Sequence, residues 1–219
     1  MTNCKKAVLL FAFWSVSALS FGQHYLGYGT SVNYFTEKYT IDNYTRKQFG
    51  WNASASYNFF PPDFPLGIFS LISYGSTTPA TESIPRESMK ARKGSITDIR
   101  FVIGPSFRFR LDSGIFFPLS VCPLLLFTRE TSTERLSSGS QIDYSYQSLS
   151  GGIQSNFGAV FPVSNIFFIK PGVLFDYIFL RAEKGEMRMN YRTTHIDQYK
   201  KTGYYSFNLA VYFCIGIKF

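Results

Sequence analysis

Residues suited to proton transfer or nucleophilic attack are few in this chain. It has two histidines, His24 and His195. His195 stands in the stretch RTTHIDQYK, beside Thr194 and Asp197, a combination that an acid–base relay uses. No nearby serine stands in a nucleophile motif, so His195 reads as a solvated residue of a polar stretch. His24 lies near the N-terminus, far along the chain from any partner for catalysis. Cys122 and Cys214 have no Cys or His spacing that suggests a metal site; they read as small buried hydrophobes. No catalytic residue, metal ion or cofactor is expected, and the chain does not read as an enzyme.

A second set of ionisable residues is more informative: Asp98, Arg100, Arg108, Arg110, Lys170, Asp176 and Lys218. Each occupies the polar column of an alternating stretch. In DIRFVIGPSFRFRL, Ile99, Phe101, Ile103, Pro105, Phe107, Phe109 and Leu111 share one column, while Asp98, Arg100, Val102, Gly104, Ser106, Arg108 and Arg110 share the other. Successive residues of a strand face opposite sides, so one face is apolar and the other polar or small. The C-terminal stretch from Tyr205 to Phe219 alternates in the same way.

Similar alternation over Leu26–Tyr34, Phe49–Phe59, Ser148–Phe161 and Ile169–Phe179 predicts further strands. Leu66–Gly75 and Ile115–Thr128 are apolar but alternate poorly; spacing makes them strands too. Eight strands result. Short turns at Pro61–Pro65, Asp112–Gly114 and Pro162–Asn165 alternate with long polar links at about Glu37–Lys47, Ser76–Ser95, Arg129–Asp143 and Ala182–Thr202. That rhythm predicts an all-β fold, a single eight-stranded antiparallel up-and-down transmembrane β-barrel over residues 23–219.

Volume decides which face points out. Eight strands enclose a lumen just wide enough for side chains to fill it. The Phe, Tyr, Ile and Leu columns would overfill it, whereas the Gly, Ser, Ala and Asn columns fit. The apolar face therefore points outward, into lipid, where open sheet edges are not tolerated and the first strand must pair with the last. The seven charged residues then face the lumen, where they pair or meet water. Two arrangements satisfy this: an internal salt-bridge plug, or a narrow polar pore whose basic excess favours anions.

The chain is 19% aromatic and 16% charged, well below the charge of soluble domains. Residues 1–22 read as a signal peptide: Lys5 and Lys6, the apolar run Ala7–Val16, then small residues up to Gly22. Losing two lysines takes the formal charge from +8 to about +6. Export points that basic charge at lipid headgroups or acidic surface partners; nucleic acid is not expected.

The mature chain resembles the small eight-stranded bacterial outer-membrane barrels, OmpA-, OmpX- and OmpW-like. The most specific match is the C-terminal strand, where Phe213, Ile215, Ile217 and Phe219 fit the terminal signal that the barrel assembly machinery reads. The resemblance implies a bacterial outer-membrane location with loops facing the exterior and both termini periplasmic, transit with periplasmic chaperones, and outer-membrane lipid as surroundings. The leading expectation is a narrow, porin-like channel for small solutes or hydrophobic compounds. The OmpW-like likeness adds an apolar pocket near Leu174, Ile178 and Leu180. The alternative is a nonconducting barrel whose external loops serve adhesion or bind host or envelope partners.

Overall fold

The computed structural model of the chain describes residues 22–39, 44–79, 89–111, 114–136, 139–189, 192–200 and 204–219. The expected signal peptide lies outside them, apart from Gly22. Among the described residues the strands are β1 (Gln23–Tyr39), β2 (Tyr44–Phe60), β3 (Leu66–Pro79), β4 (Met89–Arg110), β5 (Phe116–Leu136), β6 (Gln141–Gly158), β7 (Phe161–Pro162), β8 (Phe167–Met189), β9 (Arg192–Lys200) and β10 (Tyr204–Lys218). They form eight staves. β7 continues the line of β6, and β9 and β10 pair successive parts of β8. Neighbours pair antiparallel in chain order, and β1 closes on β10 from Tyr25↔Lys218 to Tyr39↔Tyr204. The result is a closed eight-stranded up-and-down barrel.

The two columns separate as lipid requires. On β4, Ile99, Phe101, Ile103, Phe107 and Phe109 are uncovered on the outer wall, while Asp98, Arg100, Val102, Ser106 and Arg108 are buried. On β10, Phe207, Leu209, Val211, Phe213, Ile215 and Ile217 face out, and Ser206, Asn208, Ala210, Tyr212 and Cys214 face in. On β5 the outward apolar run goes from Phe117 to Phe127; ten steps of ~3.3 Å at a tilt of ~40° make a band of about 25 Å, the height of a bilayer's hydrocarbon.

The three short turns close one end of the barrel. Between β2 and β3, Phe64 N–H donates to the Pro61 carbonyl (3.4 Å), and Asp63 takes a positive φ of 55°, which a short polar side chain tolerates. Between β4 and β5, Gly114 sits at φ 80° and donates to the Leu111 carbonyl (3.1 Å). Between β7 and β8, Ser164 Oγ accepts from the N–H groups of Ile166 (3.2 Å) and Phe167 (3.0 Å).

The four long links differ from the expectation. They are largely strand. β4 and β5 stay paired out to Met89↔Leu136, β5 and β6 to Arg135↔Gln141, β6 and β8 to Ile142↔Met189, and β8 and β9 to Met189↔Arg192. The physical reason is solvent. Beyond the lipid neither face need be apolar, so hydropathy stops alternating while backbone pairing continues. Five strands, β4-β5-β6-β8-β9, thus stand above the band as an upright sheet, the hairpins reaching ~20 Å past it. Pairing of β3 with β4 stops at Thr77↔Ile96, and β1 pairs β10 only as far as Tyr204. Among the described residues, the outer edges of β4 (Met89–Ser95) and β9 (Arg192–Lys200) therefore have no strand beside them.

Candidate functional site

The lumen is packed in layers. At the short-turn end, Arg108 lies over the Phe60 ring (4.8 Å) and donates to Gln23 Oε1 (2.8 Å) and the Pro61 carbonyl (2.9 Å). Arg110, exposed at the rim, donates to the same Gln23 oxygen (2.5 Å). Behind them Tyr25, Phe60, Phe116, Val160 and Phe168 form an apolar floor. The next charge is Lys170, fully buried, with its ammonium over the rings of Phe69 (5.2 Å) and Tyr212 (5.5 Å). Tyr212 in turn donates to Asn156 Oδ1 (2.8 Å). Gly158 and Gly172 are what let the Tyr212 phenol lie flat on the wall; a Cβ at either would run into its hydroxyl.

Farther along, Arg100 is the largest fully buried side chain among the described residues. Its Nη2 lies 3.3 Å from Asp176 Oδ2 and 3.7 Å from Asp98 Oδ2. Asp176 also accepts from Gln154 Nε2 (2.8 Å) and Asn208 Nδ2 (2.7 Å). Gly75 makes the room, since a Cβ there would strike both Asn52 and Asp98. Phe69, Leu71, Val102, Cys122, Leu124, Leu126 and Ile178 fill the remaining width with apolar atoms. At the hairpin end, Arg181 bridges Glu37 (2.7 Å) and Glu183 (2.5 Å), and the Tyr146 hydroxyl donates to Glu130.

The structure thus brings Asp98, Arg100 and Asp176 into one group. Lys170 lies apart from them, Arg108 and Arg110 lie at the short-turn rim, and Lys218 is half-buried where β10 meets Tyr25 of β1. Leu174 and Ile178 pack into the two interior clusters, whereas Leu180, paired with Gly151 on the outward column of β6, turns to the outer face, so the three do not line one pocket. Phe213, Ile215, Ile217 and Phe219 line the outer wall of the last strand. Phe219 exchanges backbone hydrogen bonds with His24 (3.0 and 3.1 Å) and stacks on its ring at 5.2 Å. His24 Nδ1 lies 2.7 Å from the Tyr57 hydroxyl. His195 is 78% exposed, 3.6 Å from Glu186 Oε1.

Among the described residues four inward charges are missing from the sequence reading: Glu37, Glu130, Arg181 and Glu183. Glu37 and Glu130 continue the inward columns of β1 and β5 past the lipid, so extending the alternation would have found them. Arg181 and Glu183 are hidden by a bulge. Gly151 pairs with Leu180 but Gly152 with Ile178, which leaves Phe179 as the extra residue and swings Arg181 from the outer face to the inner one. Gly152 permits the close approach, because a Cβ there would meet the Tyr177 carbonyl.

The upright sheet has two unlike faces. Directly paired residues share a face, so Tyr144 lies beside Met187, and Ile142 beside Met189. The opposite face carries Asp143, Lys184, Glu186 and Arg188. Asp143 accepts from Thr133 Oγ1 (2.7 Å) and Gln141 Nε2 (2.9 Å), which hold its carboxyl below the usual carboxylate range. A lowered folded-state value gives stability that is full above the unfolded carboxylate's pKa and lost as pH falls through the folded one. Protection of amides at the tip of the β5–β6 hairpin, taken relative to the intrinsic exchange rate at each pH, should therefore fall on acidification, and Asp143→Ala should lower it at neutral pH and remove that acid step.

No protein-family model matches the chain, and no curated protein matches it. Solved structures do resemble it. A major outer membrane protein from Thermus thermophilus is 11% identical, covers 88% of this chain and 99% of its own, and superposes with a TM-score of 0.53. Neisserial surface protein A is 14% identical, with 89% and 97% covered and a TM-score of 0.46. Ail of Yersinia pestis is 14% identical, with 90% and 99% covered and a TM-score of 0.42. The likeness to the first is one of fold, and with the outward apolar band it makes this chain a small barrel of the bacterial outer-membrane type, surrounded by lipid.

Proposed function

We propose that the protein is a nonconducting outer-membrane barrel that displays its upright sheet outside the cell to bind an anionic macromolecular partner. The sheet is the observation that carries this reading. Five strands stand clear of the lipid, two of their edges have no strand beside them among the described residues, and one face carries Tyr144, Ile142, Met187 and Met189, residue types suited to recognition. The edge strands are basic in sequence: Lys90, Arg92 and Lys93 on β4, Arg192 and Lys200 on β9. Positive edges steer acidic partners. Against the channel stands the packed lumen, in which an aromatic floor, a caged lysine and the Arg100 group lie in series. In this reading the short turns and both termini are periplasmic and residues 1–22 are removed on export.

The refolded protein should show no discrete conductance in planar bilayers. It should bind immobilised heparin. Excising residues 186–195, which joins the paired Gly185 and Ile196 through a two-residue Asn-Gly turn, should lower that binding at least tenfold (about 1.4 kcal/mol) with heat-modifiable migration intact. Steady single-channel steps, or binding unchanged by the excision, would overturn the proposal.

A further inference from the structure

Just beyond Arg100, on the hairpin side, the lumen holds a cavity of about 20 Å³, lined by Asp98, Gln48, Thr77, Thr128 and Ser206 and also by Glu37, Glu130 and Arg181; Arg181 pairs with Glu37, and Glu130 accepts from Ser132 and Tyr146. That is room for about one water-sized particle. Asp98 lines it while only 4% exposed, and among the described residues no hydrogen-bond donor reaches either of its carboxylate oxygens. Its nearest cation is Arg100, 3.7 Å away, and Arg100 sits closer to Asp176. Asp176 is already held by two amides. One guanidinium thus serves two buried carboxylates, and the one facing the cavity lacks the donors that make a buried anion tolerable.

We propose that this cavity is a binding site for one monovalent alkali cation, with the Asp98 carboxylate as its charged ligand and oxygens of Gln48, Thr77, Thr128 and Ser206 available around it. The donor chemistry selects this occupant. Among the described residues no three acidic, His or Cys side chains gather as a divalent or transition-metal site requires. Arg181 offsets Glu37, and Ser132 and Tyr146 donate to Glu130, so Asp98 is the lining carboxylate with neither oxygen hydrogen-bonded among the described residues; one such carboxylate with neutral hydroxyl and amide oxygens suits a hard singly charged ion, and the cavity is too small for an organic cation. A bound ion neutralises the trio of Asp98, Arg100 and Asp176 and ties β2, β3, β4, β5 and β10 together at one point. A water molecule fits the space but cancels no charge.

The test uses the full refolded barrel in detergent at fixed ionic strength and neutral pH, with sodium, potassium or N-methylglucamine chloride. The urea midpoint should rise saturably with sodium or potassium and not with N-methylglucamine. Asp98→Asn should abolish the difference between cations. Thr77→Val, which keeps the carboxylate, should raise the half-saturating concentration several-fold. Equal midpoints in all three salts would overturn the proposal, as would a cation effect that survives Asp98→Asn. Stabilisation produced by acidification alone, equal in every salt, would assign the site to a proton instead.

Discussion

Arg100→Ala should destabilise the refolded barrel by about 3–5 kcal/mol, the range for removing one partner from a buried ion group. The substitution deletes a fully buried guanidinium and leaves Asp98 and Asp176, at 4% and 0% exposure, facing each other without a cation between them. Gln154 and Asn208 still donate to Asp176, so the loss concentrates on Asp98. The urea midpoint of refolded protein reads the effect directly. The size of the penalty reflects stranded charge more than lost attraction. Replacing the whole group, as Asp98→Asn, Arg100→Met and Asp176→Asn together, should recover most of the stability, because an isosteric uncharged core removes the cost as well as the pairing. If the triple variant is no better than Arg100→Ala, the group stabilises through its geometry and not through charge balance. In the single variant any dependence of stability on alkali cations should grow, since two carboxylates then face the cavity.

That group was legible as a column but not as a cluster. Asp98 and Arg100 alternate with Ile99 and Phe101, and lipid enforces such alternation because every outward position must be apolar. Nothing in the spacing says that Asp176, on a strand far away in sequence, lies at the same height; strand tilt and register decide that. β3 and β5 alternate poorly for the opposite reason. Phe69, Leu71, Cys122, Leu124 and Leu126 point inward and are apolar too, because the lumen has an apolar wall as well as a polar one. Arg181 depended on the bulge at Phe179, a one-residue slip that glycine at 152 allows but does not announce. The hairpins read as links in the sequence because a strand in water on both faces carries no hydropathy signal; Glu130, Ser132 and Tyr146 show a strand continuing where the sequence turns polar.

Phe60→Ala should cost about 3–5 kcal/mol, the usual loss for truncating a fully buried phenylalanine, and still leave the barrel closed to ions. Phe60 has no exposed surface and meets Phe116 edge-on at 5.9 Å and Tyr25 at 6.4 Å. It is also the platform under Arg108, so its removal takes apolar contacts and a cation's support at once. The cavity left behind opens toward the short-turn rim, where water reaches Arg108. It does not open a path. Lys170 between Phe69 and Tyr212, and Arg100 between Asp98 and Asp176, still cross the lumen above it, and each blocks independently of the floor. Phe60→Leu, which keeps most of the volume, should cost less than about 1.5 kcal/mol. Denaturant midpoints separate the two variants, and planar bilayers test the seal. Discrete channels in Phe60→Ala alone would mean that the aromatic floor is the gate and that the layers above it are already wet and open; silence from Phe60→Ala, with channels appearing only when Lys170 and Arg100 are also truncated, is what blocks in series require.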